Sequence, residues 1–355
     1  MSDYSGMKVV NHEQLQKVCT DILVRLGVSE EDASVTAETL VLANLRGTDS
    51  HGVMRLPFPY AVRLREGGTK PNPNIEVVMD DKACVLIEGD QSLGQAVAYK
   101  GMKTAMAKAR EFGVGIACVR NGDHFGAAGF YANMAAQEDM VGFASSNGPC
   151  NMAAWGGAEA VVANSPFAFA IPAGEAPNII FDIALSQVAA GKIMNAAAKG
   201  EKIPVGWMFD SEGKPCQDPT MLHKGCTLTP VGGHKGYGMS VVVDCVAGIM
   251  SGAEYGPLVP QNYLDMVVAP GLGMFFGAID ISRFMDIDAF KTIVDGYAGM
   301  IKATRKAEGV EALYLPGEIE WITEQKRRAE GAPLPEKVYG DIKALAEELG
   351  VEFSM

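Results

Sequence analysis

Two histidines stand in turns made of small and polar residues, where an imidazole could exchange a proton with a ligand. His51 directly follows Ser50, and His124 lies within the run 121–129. Imidazole changes charge near neutral pH and is the side chain most often used as a general acid or base. Arg55 lies four residues after His51, so on a helix the two would share a face and the guanidinium could bind a carboxylate. These residues predict a proton-transfer site for an anionic substrate, although a surface turn with a hydrogen-bonded histidine remains the alternative for each.

Glycine-rich segments come before predicted helices and indicate where a phosphate could bind. The segment 122–129 follows a predicted strand, and the segment 232–238 contains His234 and Lys235 at a predicted helix start. The first backbone N–H groups of a helix favour phosphate, and small residues let a ligand approach them closely. Asp182 ends an apolar strand and could accept hydrogen bonds from ribose hydroxyls, or it could cap the next helix. A tight turn without a ligand is the alternative interpretation of both glycine segments.

The sequence lacks the short motifs of several common enzyme classes. Gly-x-Gly-x-x-Gly does not occur, and the similar run 271–277 has one residue too many and precedes a predicted strand. The histidine and cysteine spacings of zinc sites are absent, so no metal site is predicted. Gly-x-Ser-x-Gly, the nucleophile turn of α/β-hydrolases, is absent too. A dinucleotide site in this chain would have to be built without the Rossmann glycines.

The composition argues against nucleic acid and membrane partners. Acidic residues number 43 against 30 basic ones, and a net charge of −13 repels phosphates and anionic lipid. The seven cysteines are scattered, which is typical of reduced thiols. The N-terminus lacks a signal-peptide pattern, and the apolar run 239–250 is too short to cross a bilayer. We therefore expect a soluble cytoplasmic protein.

Helical and extended patterns alternate along the chain and place the glycine-rich turns at the ends of elements. Residues 15–26 carry an apolar helical stripe that Asn11 can cap, and Ser29 begins a second helix. A third apolar segment with basic residues covers 53–65. Further predicted helices are 96–112, 130–138, 187–199, 237–250, 287–307 and 335–349, and predicted strands are 83–87, 114–119, 140–144, 167–171, 179–183 and 274–279. The predicted fold class is α/β, with the helical N- and C-terminal regions packed together.

Nine stretches in order resemble the malate/L-lactate dehydrogenase family that is distinct from the Rossmann-type lactate and malate enzymes. Its members include ureidoglycolate, diketogulonate, sulfolactate and piperideine-carboxylate enzymes. The matching stretches are Asp49-Ser50-His51-Gly52 with Arg55, His124–Gly129, Trp155-Gly156-Gly157, Asn164-Ser165-Pro166, Phe181–Ala184, Gly191-Lys192-Ile193, Ile203–Trp207, Lys235–Gly238 and Pro316-Gly317-Glu318. No single stretch is specific, but the ordered set covers almost the whole chain.

The resemblance implies a fold, a cofactor and a substrate class. The fold would be the family's own non-Rossmann NAD(P)-binding fold, a mixed or antiparallel sheet flanked by helices, in a homodimer. The reaction would transfer a hydride between NAD, or alternatively NADP, and a small 2-hydroxy or 2-oxo acid. His51, Ser50 and His124 would be catalytic, while Arg55 and Asn164 would bind the substrate. The cofactor would contact His124, Phe125, Gly126, Ala127, Ala128, Asp182, Ile183, Ala184, His234, Lys235, Pro316, Gly317 and Glu318.

Two departures from the family pattern bear on the function. His234 stands where many relatives have tyrosine, and Lys192 stands where some imine-reducing relatives have an acidic residue. The lysine argues against a cyclic imino-acid reductase, although that class, a metal-assisted lyase and a non-catalytic ligand-binding protein remain alternatives.

We also expect two interleaved domains. Residues 1–80, 120–225 and 305–355 would form a helical substrate and dimerisation domain, and residues 81–119 and 226–304 a cofactor-associated domain.

Overall fold

A mixed seven-stranded sheet forms the centre of the molecule. The computed structural model describes residues 6–222, 224–261 and 265–355. The sheet strands are β2 (Glu76–Asp81), β3 (Cys84–Ser92), β4 (Val114–Gly122), β5 (Met140–Ser146), β8 (Pro166–Ile171), β9 (Ile179–Ala184) and β13 (Leu272–Asp280). Their order is β2-β3-β4-β13-β5-β8-β9, and only the β3–β4 pair is parallel. The predicted mixed or antiparallel sheet flanked by helices is confirmed.

Two helices cover this sheet, α4 (Gly94–Phe112) and α5 (Ala128–Ala136). Both are rich in alanine and methionine, and their buried side chains form one apolar core with those of β4 and β13. Small side chains let both helices lie close to the sheet. The turn 122–127 therefore connects the end of the interior strand β4 to α5, which packs on the same core.

The two chain ends pack together as predicted. Strand β1 (Met7–Val10) pairs antiparallel with β14 (Ala332–Pro335). The helices of this region are α1 (His12–Arg25), α2 (Glu30–Leu45), α3 (Ala61–Glu66), α9 (Glu318–Glu330) and α10 (Glu336–Leu349). The Asn11 side chain accepts the N–H groups of Glu13 and Gln14, so it caps α1 as its position indicates.

The rest of the chain forms a smaller layer beside the main sheet. Its strands are β6 (Met152–Ala153), β7 (Ala160–Val162), β10 (Met208–Phe209), β11 (Pro215–Cys216) and β12 (Thr227–Leu228), in the order β11-β10-β12-β6-β7. The helices of this region are α6 (Ala190–Lys199) and α7 (His234–Val243). Helix α8 (Ile287–Lys302) follows β13. A wide helical turn over 244–249 extends α7.

Several sequence expectations differ from the observed elements. The segment 53–65, for which no element was predicted, forms short turns, and a regular helix begins only at Ala61, because two prolines flank Phe58 and hold it in an extended conformation. Helix α9 and the short strands were not predicted, since their patterns are weak or brief.

The main sheet takes strands from both expected domains, and the domain division stays a proposal. Within the described ranges, none of the helices is both long and apolar enough to span a bilayer.

Candidate active site

A cleft of about 1420 Å³ runs between the end of α2, the start of α5 and the segment before α9. Its walls include the side chains or backbone of Ser50, His51, 126–129, Asp182 and 314–317. These segments are far apart in the sequence. The fold therefore brings most of the predicted site segments to one concave surface.

His51 lies on the wall of the cleft in a short helical turn, residues 49–51. Its Nδ1 is 3.0 Å from the Ser50 hydroxyl oxygen. Arg55 donates from Nε to the Ser50 carbonyl oxygen over 2.7 Å, so the guanidinium lies against the backbone that carries the imidazole. The predicted trio of Ser50, His51 and Arg55 is thus one hydrogen-bonded unit.

His124 stacks on His51, with ring centroids 5.6 Å apart and planes inclined by 24°. The Tyr60 hydroxyl lies 2.7 Å from Nδ1 of His124, and the Gly126 N–H donates to the same nitrogen over 3.4 Å. Gln95 donates from Nε2 to the Tyr60 oxygen over 2.9 Å. Two histidines separated by 72 residues in the sequence therefore share one site.

A buried carboxylate fixes the backbone under His124. Asp123 accepts the His124 N–H over 2.6 Å and the Thr69 hydroxyl over 2.6 Å, and Arg63 approaches it at 3.5 Å. All three side chains of this cluster are buried. Burial raises the pKa of the Asp123 carboxyl, while the positive charge of Arg63 opposes that effect.

Burial and positive charge keep both imidazoles neutral. The His51 ring has an edge on the cleft, but protein surrounds most of it, and this burial, aided by Arg55, lowers its pKa to about 4. Burial lowers the pKa of His124 well below the usual histidine value, with further contributions from Arg55, His51 and Arg63. At neutral pH both rings are therefore uncharged, and each can accept or donate through a ring nitrogen.

The opposite wall joins the start of α5 to strand β9. The Gly129 N–H donates to the Asp182 carboxylate over 2.8 Å, and a side chain at position 129 would meet that oxygen at 2.8 Å. Asp182 and Ala184 line the cleft, while Ile183 points to the other face, as alternation along a strand requires. Asp182 is exposed to the cleft, but the surrounding wall desolvates its carboxylate and raises its pKa to about 6.

Residues 316–318 close the cleft beside β9. The Pro316 carbonyl accepts the Ile180 N–H over 3.0 Å, and Gly317 has a φ of +82°. A Cβ at Gly317 would lie 2.8 Å from Cβ of Ile180, so only glycine allows this close approach. Glu318 is buried and accepts the Leu315 N–H and the Lys302 ammonium, which places it behind the wall.

Besides Ile183 and Glu318, four more predicted site residues lie apart from the cleft of this chain. Asn164 exchanges two hydrogen bonds with Asn151 next to the smaller sheet. His234 and Lys235 are exposed at the start of α7, where the His234 ring contacts Trp155 at a centroid distance of 6.0 Å. Phe125 is buried in the core against Tyr131. The contacts predicted for these four residues remain proposals.

Other residues of the site had no role in the sequence analysis. Tyr60 and Gln95 contact His124, as described above. Asn44 bridges the His51 turn by donating to Asp49 over 2.7 Å and accepting the Val53 N–H over 2.8 Å. Arg327 of α9 also donates to Asp49, over 2.9 Å. The sequence marks Asp49 only by its place before Ser50, and no pattern links it to Arg327.

The cleft fits a nicotinamide dinucleotide together with a small acid. Its volume exceeds the roughly 300–1,000 Å³ typical of pockets for single small ligands. The start of α5 offers backbone N–H groups suited to phosphate, and the Asp182 carboxylate can accept further hydrogen bonds from hydroxyl groups. Within the described ranges, no group of three or more metal-binding side chains is present.

Comparison with known proteins identifies the family and the fold. The family model for malate/L-lactate dehydrogenase matches residues 10–343. The malate/(S)-sulfolactate dehydrogenase of Methanothermus fervidus is 38% identical over 98% of this chain and 99% of its own length. The solved malate dehydrogenase of Pyrococcus horikoshii superposes with a TM-score of 0.90 at 34% identity, covering 98% of this chain and 97% of that one. The solved sulfolactate dehydrogenase of Methanocaldococcus jannaschii gives 0.91 at 38% identity, covering 98% of both chains.

Some relatives carry the cofactor in their names. The ureidoglycolate dehydrogenase (NAD(+)) of Escherichia coli K12 is 30% identical over 93% of this chain and 93% of its own length. The (2R)-3-sulfolactate dehydrogenase (NADP(+)) of Chromohalobacter salexigens is 31% identical over 96% of this chain and 98% of its own. Fold, cleft and relatives together define a dehydrogenase that uses a nicotinamide cofactor. The chain belongs to the malate/L-lactate dehydrogenase family.

Proposed function

We propose that the protein oxidises a small 2-hydroxy acid to the 2-oxo acid, and catalyses the reverse reduction, at the stacked pair His51 and His124. The observation that carries this proposal is the meeting of two neutral imidazoles and the Arg55 guanidinium beside a dinucleotide-sized cleft, with His51 in its wall. A hydride transfer beside a carboxylate needs a proton carrier and an anion-binding group, and these three residues supply both.

Each residue of the site would have a distinct role in the reaction. Arg55 binds the substrate carboxylate and holds the neighbouring carbon near His51. In the oxidative direction neutral His51 takes the hydroxyl proton, with Ser50 fixing the ring through Nδ1; in the reductive direction it returns that proton to the oxygen. His124 contacts the substrate or shares the proton transfer. The bound nicotinamide supplies or accepts the hydride, so the proton and the hydride together account for both hydrogens exchanged.

The substrate would be an acid of the malate, lactate, sulfolactate or ureidoglycolate type. Malate and sulfolactate appear in the names of relatives that are 36–38% identical to this chain. We propose NAD as the cofactor, with NADP as the alternative, because the chain carries a net charge of −13 and the sequence has no evident cluster of arginines for an added phosphate. We also propose that the protein is a homodimer in the cytoplasm.

A panel of 2-oxo acids assayed by the absorbance of NADH and NADPH tests this function. We expect at least one oxo acid to oxidise the reduced cofactor, with NADH preferred, and the corresponding hydroxy acid to reduce NAD. Cyclic imines belong in the same panel as a comparison. Failure of every 2-oxo acid with both cofactors, or turnover of imines alone, would contradict the proposal.

The depressed histidine pKa predicts an unusual pH dependence. Oxidation needs the neutral base, and the free-enzyme pKa of His51 is about 4. The value of kcat/KM for hydroxy-acid oxidation should stay level from about pH 8 to about pH 5, and fall as pH drops through about 4. Intrinsic fluorescence at each pH would show that the protein remains folded. Half-loss of kcat/KM near the ordinary histidine pKa of about 6.5 would contradict the assignment.

A further inference from the structure

Hydrogen-bond donors converge on one nitrogen of His124. The Gly126 backbone N–H points at Nδ1 over 3.4 Å, and a backbone amide can only donate. The Tyr60 hydroxyl lies 2.7 Å from the same nitrogen. Since the Tyr60 oxygen already accepts an N–H from Gln95, its own proton is well placed to be donated to Nδ1. Nδ1 is therefore an acceptor and carries no proton.

The consequence concerns the other ring nitrogen. A neutral imidazole with an unprotonated Nδ1 carries its proton on Nε2. Among residues 6–222, 224–261 and 265–355, no hydrogen-bond partner contacts Nε2, and the ring stacks on His51, which lines the cleft. An Nε2–H group beside His51 can donate a hydrogen bond to a substrate oxygen, but it cannot remove a proton from that oxygen.

The packing around Tyr60 supports a dedicated positioning role. Tyr60 and Gln95 are both fully buried, and Gln95 lies in the first turn of α4. A side chain at Gly94 would lie 2.1 Å from the Asp123 carbonyl oxygen, so the start of α4 lies directly against the backbone that carries His124. The relay from Gln95 through Tyr60 to His124 is held by the core of the fold.

We infer that Tyr60, held by Gln95, is a positioning residue that fixes His124 as its neutral Nε2–H tautomer. This inference rests on the proposed function and gives the rings of His51 and His124 different roles. His124 donates a hydrogen bond to the oxygen on the substrate's second carbon, and His51 alone moves the proton. A neutral imidazole held as a donor stabilises the negative charge that develops on this oxygen during reduction.

The charged and titratable groups facing His124 favour the neutral ring. Arg55, Arg63 and His51 disfavour a positive charge on it, and Tyr60 contacts it through its hydroxyl. Among the described residues, the carboxylate that contacts His124 is that of Asp123, which accepts the His124 backbone N–H and is also bound by Arg63 and Thr69. The tautomer should therefore persist over the pH range in which the enzyme works.

The test is the nitrogen NMR spectrum of the protein labelled with ¹⁵N-histidine. Long-range proton–nitrogen correlations distinguish Nδ1–H, Nε2–H and charged rings, and a His124→Gln variant assigns the His124 signals. We expect the wild-type protein to show a protonated Nε2 and an unprotonated Nδ1 for His124 at neutral pH. An Nδ1–H or imidazolium pattern would overturn the inference without any need for a further variant.

Variants separate positioning from general packing. Tyr60→Phe should move the His124 nitrogen signals towards a mixture of tautomers and lower kcat about tenfold with little change in KM. Tyr131→Phe is the matched control, because its buried hydroxyl donates to the Phe125 carbonyl over 2.6 Å. That control should lower stability but leave the His124 signals in place.

The outcomes distinguish this inference from the proposed function. Unchanged His124 signals in Tyr60→Phe, or equal shifts in Tyr131→Phe, would overturn the role of Tyr60. Because the spectra are recorded on the free protein, they stand whether or not any 2-oxo acid is turned over. If the wild-type protein shows the Nε2–H pattern but turns over none of the 2-oxo acids, the proposed function is rejected and the tautomer assignment is still supported.

Discussion

Replacing His51 with alanine should lower kcat by about 10²–10⁴-fold, the contribution typical of a positioned acid–base group. The imidazole lines the cleft, is hydrogen-bonded to Ser50 and is neutral at working pH, as a base for a hydroxyl proton must be. The effect should fall on kcat, since alanine removes the proton carrier without removing the anion-binding Arg55. Steady-state kinetics in both directions would measure it.

Cofactor binding provides the control for this variant. Titration with NADH, followed by quenching of tryptophan fluorescence, should give nearly the same dissociation constant for His51→Ala and the wild type. A Ser50→Ala variant should show a smaller loss of kcat, because Ser50 only orients the ring. If His51→Ala kept nearly full turnover while His124→Ala lost it, the proton carrier would be His124 and the assignment would be reversed.

The second large effect is expected for Arg55→Lys. Arg55 donates from Nε to the Ser50 carbonyl, and its planar guanidinium can bind a carboxylate through two hydrogen bonds as well. Lysine is a single ammonium group and cannot make both contacts in that geometry. A lost charge-assisted hydrogen bond costs about 1.5–3 kcal/mol, which corresponds to a fall in kcat/KM of about 10- to 150-fold.

Arg65→Lys is the matched control for this substitution. Arg65 lies on α3 and pairs at 3.0 Å with Glu348, where both side chains are exposed, so the same change there should leave kcat/KM within about twofold. Comparing the two variants on the best oxo acid from the panel isolates the effect of position. An Arg55→Lys enzyme with wild-type kcat/KM would show that another group binds the carboxylate.

Local patterns predicted the parts of the fold whose causes are local. The N-cap at Asn11, the strand 274–279 and the helix 96–112 were recognisable because capping, burial and helical periodicity act over a few residues. The segment 53–65 was less predictable, since its apolar spacing suits a helix while its prolines forbid one. There the restriction on the backbone outweighed the periodicity.

The site shows the same division between local and long-range causes. The ordered motifs pointed to His51, His124 and Asp182; in the structure His51 and Asp182 line one cleft, and His124 stacks on His51. Contacts such as Arg327 with Asp49 and Tyr60 with His124 depend on how distant segments pack, and no spacing in the sequence encodes them. In each of these contacts the partner residue is ordinary in type and becomes significant only through its position.

The structure of a complex with the oxidised cofactor and a 2-oxo-acid analogue that cannot accept a hydride would test the central claim most directly. We predict that the carboxylate of the analogue binds Arg55 and that its second-carbon oxygen lies within hydrogen-bond distance of the His51 and His124 rings. An analogue bound with its carboxylate away from Arg55, and with neither imidazole in hydrogen-bond contact, would contradict the account.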